Sequence, residues 1–156
     1  MQVRRVVTGH DASGRAVVSV DDTLEGEQRR PGAAAAVIWT SEGFPVANTG
    51  GEDAGKRQVG TTLANGTVFR VLELSPGNAA RVHRTDSIDY AVVMSGEIDM
   101  ELEQGESVHV KAGDVLVQRG TIHNWVNSGA EPCRIAFVLI DAKPVEVGGK
   151  TLHAQG

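Results

Sequence analysis

From residue 67 onward, short apolar runs are separated by turn-forming residues at intervals of about 8–12 residues, the rhythm typical of a sandwich or barrel. Ile98, Met100 and Leu102 alternate with acidic residues, the period of two expected for a strand with one face in water. Turn signals follow in the segments 75–77 and 111–114. Because no convincing amphipathic helix interrupts this pattern, the sequence predicts an all-β fold.

The first 66 residues carry weaker strand signals. Valine-rich runs over 3–7 and 15–20 flank a turn-forming cluster and predict a hairpin. Residues 21–32 are polar and predict a loop, whereas β-branched residues favour a strand over 33–40. Residues 41–66 are rich in Gly and Asn and predict a long loop, which in a compact domain is either mobile or functional.

Composition narrows the classes of function. A chain of 156 residues favours one domain, and 40% hydrophobic with 22% charged residues is an ordinary globular balance. The net charge of -5 argues against nucleic acid as a partner. The single cysteine, Cys133, excludes an internal disulfide and a cysteine-based metal site. No apolar segment reaches the ~20 residues of a membrane span, so we expect a cytoplasmic protein without a membrane partner.

Two stretches carry more specific information. In the first, five residues separate Gly77 from His83-Arg84-Thr85, three separate Thr85 from Asp89, and six separate Asp89 from Gly96. The second runs over 113–127, opens with a glycine and contains His123 followed by an asparagine four positions on. This pair of spaced motifs resembles the two signature motifs of the cupin superfamily.

The resemblance implies an antiparallel double-stranded β-helix, that is, a jelly-roll barrel of the RmlC-like monocupin type with one open mouth. It places the barrel core at 67–141, an N-terminal extension that adds strands at 1–66, and a polar tail at 142–156, all in one domain. It also implies a homodimer.

The resemblance further implies a ligand set. The four positions that hold a metal in many cupins are here His83, Thr85, Asp89 and His123. Threonine is a poor metal ligand, and Asp89 is one methylene shorter than the usual glutamate. Two imidazoles and one carboxylate remain, a set that serves non-haem iron and catalytic zinc. His83, Asp89 and His123 are therefore the expected ligands of a divalent ion such as iron, manganese, zinc or nickel, and the expected catalytic residues.

A metal-free alternative stays open at this point. The same three side chains could form a hydrogen-bonded polar cluster, with a histidine as general base and Asp89 raising its pKa. Asp89 could equally cap the turn before the following strand. We expect Arg81, Thr85, Tyr90 and Trp125 to contact a small-molecule substrate.

Three functions are compatible with these residues. The first is a lyase, isomerase or cyclase acting on a small carbonyl-bearing or aromatic metabolite, assisted by a metal that polarises the carbonyl. The second is a non-haem iron dioxygenase using the same ligands. The third is a small-molecule binding module without catalysis, because fold alone does not choose function.

Overall fold

Thirteen β-strands and two short 3-10 turns make up the computed structural model, which describes all residues from Met1 to Gly156. The strands are β1 (Gln2–His10), β2 (Ala16–Glu25), β3 (Glu27–Arg30), β4 (Ala33–Glu42), β5 (Gly66–Leu74), β6 (Ser87–Ser95), β7 (Glu97–Glu101), β8 (Ser107–Lys111), β9 (Val115–Arg119), β10 (Asn124–Val126), β11 (Cys133–Asp141), β12 (Val145–Val147) and β13 (Lys150–Leu152). The 3-10 turns are Ala54–Lys56 and Glu103–Gly105. Neither turn has the length and hydropathy that crossing a membrane requires of a helix.

Two antiparallel sheets enclose the core. The larger sheet has the strand order β3-β4-β5-β11-β6-β9 and the smaller one has the order β10-β7-β8. One apolar cluster joins them, since Val68, Leu74 and Ile135 of the large sheet pack with Ile98 and Trp125 of the small sheet. Full burial of such side chains stabilises the fold by about 1.5–3 kcal/mol each. The all-β cupin jelly roll predicted from the sequence is confirmed.

Strand alternation decides which side chains enter the barrel. On β5, Val68, Arg70 and Leu72 face the interior, while Val71 lies on the opposite face. On β6, Asp89 is buried and its neighbour Tyr90 is 51% exposed.

The outer face of the large sheet carries exposed apolar side chains on β6 and β9. Tyr90 pairs in register with Val117, and Val92 pairs with Val115. All four of these side chains are exposed. The homodimer stays a prediction.

The N-terminal extension adds strands to the barrel, as predicted. β4 pairs with β5, and Ala35 lies opposite Leu72. The hairpin of β1 and β2 then covers the outer face of these strands. Its apolar side chains pack on a second small cluster, which comprises Met1, Val3, Leu24, Ala36, Ile38, Val71 and Ala136.

The loop predicted over 21–32 is wrong. β2 continues to Glu25, and β3 follows after Gly26. The polar residues tolerate a strand here because they form cross-strand ion pairs, Arg4 with Asp21 and Arg5 with Asp22.

The C-terminal tail also forms regular structure. Gly148 and Gly149 adopt positive φ angles of 58° and 72° and close the two-residue turn of the β12–β13 hairpin. Beyond the hairpin, Arg84 and Gln155 exchange backbone hydrogen bonds of 2.8 and 3.0 Å. The tail is therefore attached to the segment that contains the first motif.

Arg5 joins the hairpin to the barrel sheet and to the long loop. Its side chain is 1% exposed and makes paired hydrogen bonds to the carboxylates of Asp22 and Asp53, with N–O distances of 2.7 to 3.0 Å. A fifth hydrogen bond of 3.3 Å runs to the carbonyl of Ile38. Because one enclosed guanidinium binds both carboxylates, its removal leaves Asp22 and Asp53 without their main partner.

We expect Arg5→Met to lower the free energy of unfolding by about 3 kcal/mol, the loss typical when one member of a buried ion pair is removed. The matched control is Arg4→Met. Arg4 makes the same paired contact with Asp21, but these side chains are 70% and 48% exposed, so the loss should be much smaller than for Arg5→Met. Urea denaturation of both variants measures the difference, and equal losses would contradict this role of Arg5.

Candidate functional site

A cavity of about 260 Å³ opens into the barrel between the large sheet and the N-terminal extension. Its wall combines an imidazole pair, a carboxylate and an amide with aromatic and aliphatic side chains, and it also carries four arginines. The lining residues are Arg29, Arg30, Ala35, Val59, Gly60, Thr61, Arg70, Leu72, Arg81, His83, Asp89, Gln118, His123, Trp125, Phe137 and Leu139.

Backbone hydrogen bonds hold the two pocket histidines side by side. The N–H of His83 donates to the carbonyl of His123, the N–H of His123 donates to the carbonyl of His83, and both distances are 3.0 Å. This isolated antiparallel bridge brings together residues forty positions apart in the chain. The ring centroids lie 4.3 Å apart, with an angle of 51° between the ring planes.

Each imidazole is anchored through Nδ1. In His83 this nitrogen lies 3.1 Å from the carbonyl oxygen of Arg81, and in His123 it lies 3.0 Å from the carbonyl oxygen of Thr121. A carbonyl oxygen can only accept, so the hydrogen of each neutral ring resides on Nδ1. Both Nε2 atoms therefore keep a lone pair for a proton, a metal or a substrate.

Gln118 supports His123 from the neighbouring strand. Its side-chain amide contacts Nδ1 of His123, and its buried Oε1 has no hydrogen-bond partner when the amide nitrogen faces the ring. Because Nδ1 carries hydrogen, the amide orientation that turns Oε1 toward the ring gives this oxygen a donor. Gln118 then stabilises the ring when Nε2 also takes up a proton.

Burial keeps both histidines neutral at pH 7. It lowers the pKa of His83 to about 4, with further lowering from His123 and Arg81. It also lowers the pKa of His123, to which Arg81 again adds. The pKa of Asp89 is raised by burial, and this is partly offset by the hydrogen bond from Ser87 and by the charge of Arg70.

A short chain of hydroxyl groups leads to Asp89. Ser87 donates to Oδ1 of Asp89 at 2.6 Å, and a 2.8 Å hydrogen bond joins the hydroxyls of Ser87 and Thr85. Asp89 lies opposite Gln118 in the β6–β9 register, so both side chains face the cavity. The carboxylate is thus held by the protein and is close to the amide that contacts His123.

The residues do not form the three-ligand metal centre predicted from the sequence. No group of three histidine, cysteine, aspartate or glutamate side chains is close enough to share an ion. His83 and His123 supply two free Nε2 atoms, but Asp89 does not join them. Two imidazoles are fewer protein ligands than catalytic zinc or a facial triad requires, so this donor set does not fit such a metal as it stands.

The residues expected to contact substrate divide into two groups. Arg81 and Trp125 line the cavity. Thr85 is buried but is not among the lining residues, and Tyr90 lies on the outer face of the sheet. The place predicted for Tyr90 is wrong because it follows Asp89 directly in a strand, where neighbouring side chains point to opposite faces.

Sequence reasoning missed Gln118 and three arginines of the cavity, namely Arg29, Arg30 and Arg70. One signal was available for Arg70. It stands between Val68 and Leu72 at an inward position of an apolar strand, where a charged residue is unusual unless it has a partner.

The lowered pKa of His83 predicts that acid destabilises the protein. Between the ordinary value of 6.5 and about 4, the unfolded chain binds a proton on His83 and the folded protein does not, so stability falls as the pH falls through this range. The slope is at most about 1.4 kcal/mol per pH unit. We expect His83→Gln to reduce the loss of stability between pH 7 and pH 5, measured by urea denaturation.

The variant is needed because other groups also make the free energy of unfolding depend on pH. Asp89, whose pKa is raised, stabilises the folded protein as the pH falls, which is the opposite of the effect of His83. The control is His10→Gln, at the exposed end of β1, which should follow the wild type. A pH dependence that is unchanged in His83→Gln would show that the folded protein accommodates the charged ring.

Comparisons with known proteins identify the family. The profile of the cupin domain family matches residues 70–140. A phomopsin biosynthesis cluster protein of Diaporthe leptostromiformis is 40% identical, over 95% of this chain and 83% of its own length. A cupin-domain-containing oxidoreductase of Aspergillus ruber is 35% identical, over 97% of this chain and 79% of its own length.

A solved structure shares the architecture. The polyketide cyclase RemF of Streptomyces resistomycificus superposes with a TM-score of 0.53 at 17% identity, covering 85% of this chain and 78% of that one. This likeness concerns the fold alone. The sequence relatives point to a small enzyme.

Proposed function

The chain belongs to the cupin-domain family, and from that premise we propose that it is a small enzyme that transfers a proton on a carbonyl-bearing or aromatic metabolite. The proposal covers lyase, isomerase and cyclase reactions in the barrel cavity. The observation that carries it is the buried pair His83 and His123, neutral and anchored through Nδ1, with both Nε2 atoms free.

Such a pair suits proton transfer. One Nε2 takes a proton from a carbon beside the substrate carbonyl, and the electron pair moves to the carbonyl oxygen. Return of the proton at another position gives isomerisation, expulsion of a leaving group gives elimination, and attack on a second carbonyl gives cyclisation. Gln118 and the carbonyl of Thr121 stabilise His123 when it becomes doubly protonated.

Asp89 is suited to the complementary proton. Burial raises the pKa of this carboxyl, so it is protonated more easily than an exposed aspartate, and in this proposal it exchanges a proton with the oxygen on which negative charge develops. The environment thus lowers the pKa of the histidines and raises that of Asp89. Such opposite shifts are typical of sites in which one group acts as base and another as acid. The relatives in biosynthesis clusters support a specialised small metabolite as the substrate.

A second candidate is an oxidoreductase, which the name of the Aspergillus ruber relative favours. The non-haem iron dioxygenase considered above belongs to this class. A metal at His83 and His123 would supply the redox chemistry, but these are two ligands where three are expected. We therefore favour proton transfer over oxidation or reduction. The experiments below distinguish both of these from the third function, binding without catalysis.

Deuterium wash-in tests proton transfer directly. The protein is incubated in D₂O with a panel of small keto acids and aryl ketones, and mass spectrometry measures the deuterium that each compound takes up. We expect catalysed incorporation into some of these compounds. The reaction should persist under nitrogen and with chelator present. His83→Gln or His123→Gln should slow it about 100-fold or more, the usual contribution of a general base.

The control for these variants is His109→Gln, since His109 is 55% exposed and lies on β8, away from the cavity. Conversion that requires oxygen or is abolished by chelator would replace the proposal with the oxidoreductase. Binding of a panel compound without wash-in would instead identify a binding module.

Metal content provides an independent prediction. After incubation with Fe²⁺, Mn²⁺, Zn²⁺ or Ni²⁺ and gel filtration, we expect the tag-free protein to retain well below one equivalent, because two imidazoles hold such ions weakly without a third ligand. Elemental analysis measures this. One equivalent in the wild type that is lost in both His83→Ala and His123→Ala would show that a third ligand joins on binding.

A further inference from the structure

We infer that the cavity recognises its substrate through a carboxylate group held by Arg30, Arg70 and Arg81. This rests on the proposed function only in taking the ligand to be the substrate of the same cavity, and it names the chemical class of that substrate. Two of the three arginines were not among the residues expected from the sequence. Arg30 lies on β3 of the N-terminal extension, while Arg70 and Arg81 belong to the barrel and its first motif.

The charges of the cavity wall do not balance. Four arginines face one carboxylate, Asp89, and both histidines are neutral at pH 7. Arg29 is compensated by Glu27 at 3.2 Å. Arg30, Arg70 and Arg81 have no carboxylate within 4.0 Å, which is unusual for arginines facing a partly enclosed space.

The guanidinium groups are fixed but keep unused donors. Nη2 of Arg70 donates to the carbonyls of Gly60 and Thr61 at 2.6 and 2.9 Å, while its Nε is buried and has no partner. Arg30 donates through Nε to the carbonyl of Ala79 at 3.0 Å, which leaves both of its terminal nitrogens free. Donors that are positioned but unpaired cost free energy until an acceptor arrives.

The arginines also repel one another. Burial lowers the pKa of Arg70 to about 10, and the charges of Arg29 and Arg81 add to this. Burial and the charge of Arg81 lower the pKa of Arg30 as well. An anion placed among these groups relieves the repulsion, so the arrangement favours the binding of negative charge.

The rest of the wall indicates what the anion is attached to. Leu72, Trp125, Phe137 and Leu139 line the same cavity of about 260 Å³. A planar carboxylate can accept two parallel hydrogen bonds from a guanidinium group, and an apolar or aromatic group attached to it can pack against these side chains. The ligand is therefore a small organic acid and not a sugar or a free inorganic anion.

Arg81 connects this anion site to the histidine pair. Its carbonyl accepts from Nδ1 of His83 at 3.1 Å, and its backbone N–H donates to Oδ1 of Asn124 at 2.9 Å. The guanidinium of Arg81 and the imidazole of His83 thus lie on one short segment that these hydrogen bonds hold in place. A carboxylate bound by Arg81 orients the substrate relative to the free Nε2 of His83.

Binding of benzoate and of its neutral isostere benzamide tests the inference on the 156-residue, metal-free protein. Affinity is measured by calorimetry and by the NMR shift of the Trp125 indole N–H, assigned with Trp125→Phe. We expect benzoate to bind at least tenfold more tightly than benzamide. Arg70→Met and Arg81→Met should each weaken benzoate at least tenfold and bring it close to benzamide.

The matched control is Arg119→Met, an exposed arginine outside the cavity, which should change the affinity for benzoate less than twofold. Phenyl phosphate is tested in the same way. Tighter binding of phenyl phosphate than of benzoate would overturn the inference that the cavity recognises a carboxylate. Equal binding of benzoate and benzamide would overturn the anion site itself, and so would unchanged benzoate affinity in both Arg70→Met and Arg81→Met.

Folding of each variant is checked by its thermal midpoint and its amide NMR spectrum. Where Arg70→Met does not fold, Arg70→Lys keeps the charge but loses the planar fork and should still weaken benzoate binding. Since binding is measured without turnover, a failed wash-in experiment leaves this test intact. Loss of benzoate recognition likewise leaves proton transfer on neutral ketones measurable.

Discussion

The site depends on one pair of backbone hydrogen bonds, those that His83 and His123 exchange. They join two segments that are far apart in sequence and set the imidazoles 4.3 Å apart before any ligand arrives. The neighbouring carbonyls of Arg81 and Thr121 then select the tautomer by accepting from Nδ1. The position and the tautomer of both rings thus depend mainly on main-chain groups, while burial keeps the rings neutral and Gln118 adds a side-chain contact to His123.

Charge gives the cavity its second property. The imidazoles are uncharged because they are buried, whereas the arginines cannot lose their protons at any physiological pH. The result is a small space that combines neutral bases with fixed positive charge. This combination lets one part of a ligand be held electrostatically while another part contacts groups able to exchange protons.

Much of this could be predicted from the sequence, and the errors have physical reasons. The resemblance of the two motifs to those of cupins implied that His83 and His123 face one cavity, and the bridge between their backbones brings the two rings together there. Period-two alternation should also have excluded Tyr90 once Asp89 was placed inside. The segment 21–32 was assigned to a loop because its polarity suggested exposure, yet ion pairs such as Arg5 with Asp22 stabilise the strand. The charge balance of the cavity was not predictable, since Arg30 and Arg70 reach the same cavity only after β3 pairs with β4 and β4 pairs with β5.

The N-terminal extension has a consequence for how such proteins diversify. It supplies Arg29, Arg30 and the segment 59–61 to the cavity, while both motif histidines belong to the barrel core. The extension therefore contributes one part of the recognition surface, whereas the imidazole pair and the other two arginines, Arg70 and Arg81, come from the barrel. Relatives that keep both motifs can acquire new ligands by altering the first 66 residues, so conserved motifs alone are a poor guide to shared substrates. Exchange of this segment between two relatives would change the part of the cavity wall that contains Arg30 and the segment 59–61, and would leave Arg70, Arg81 and the imidazole pair in place.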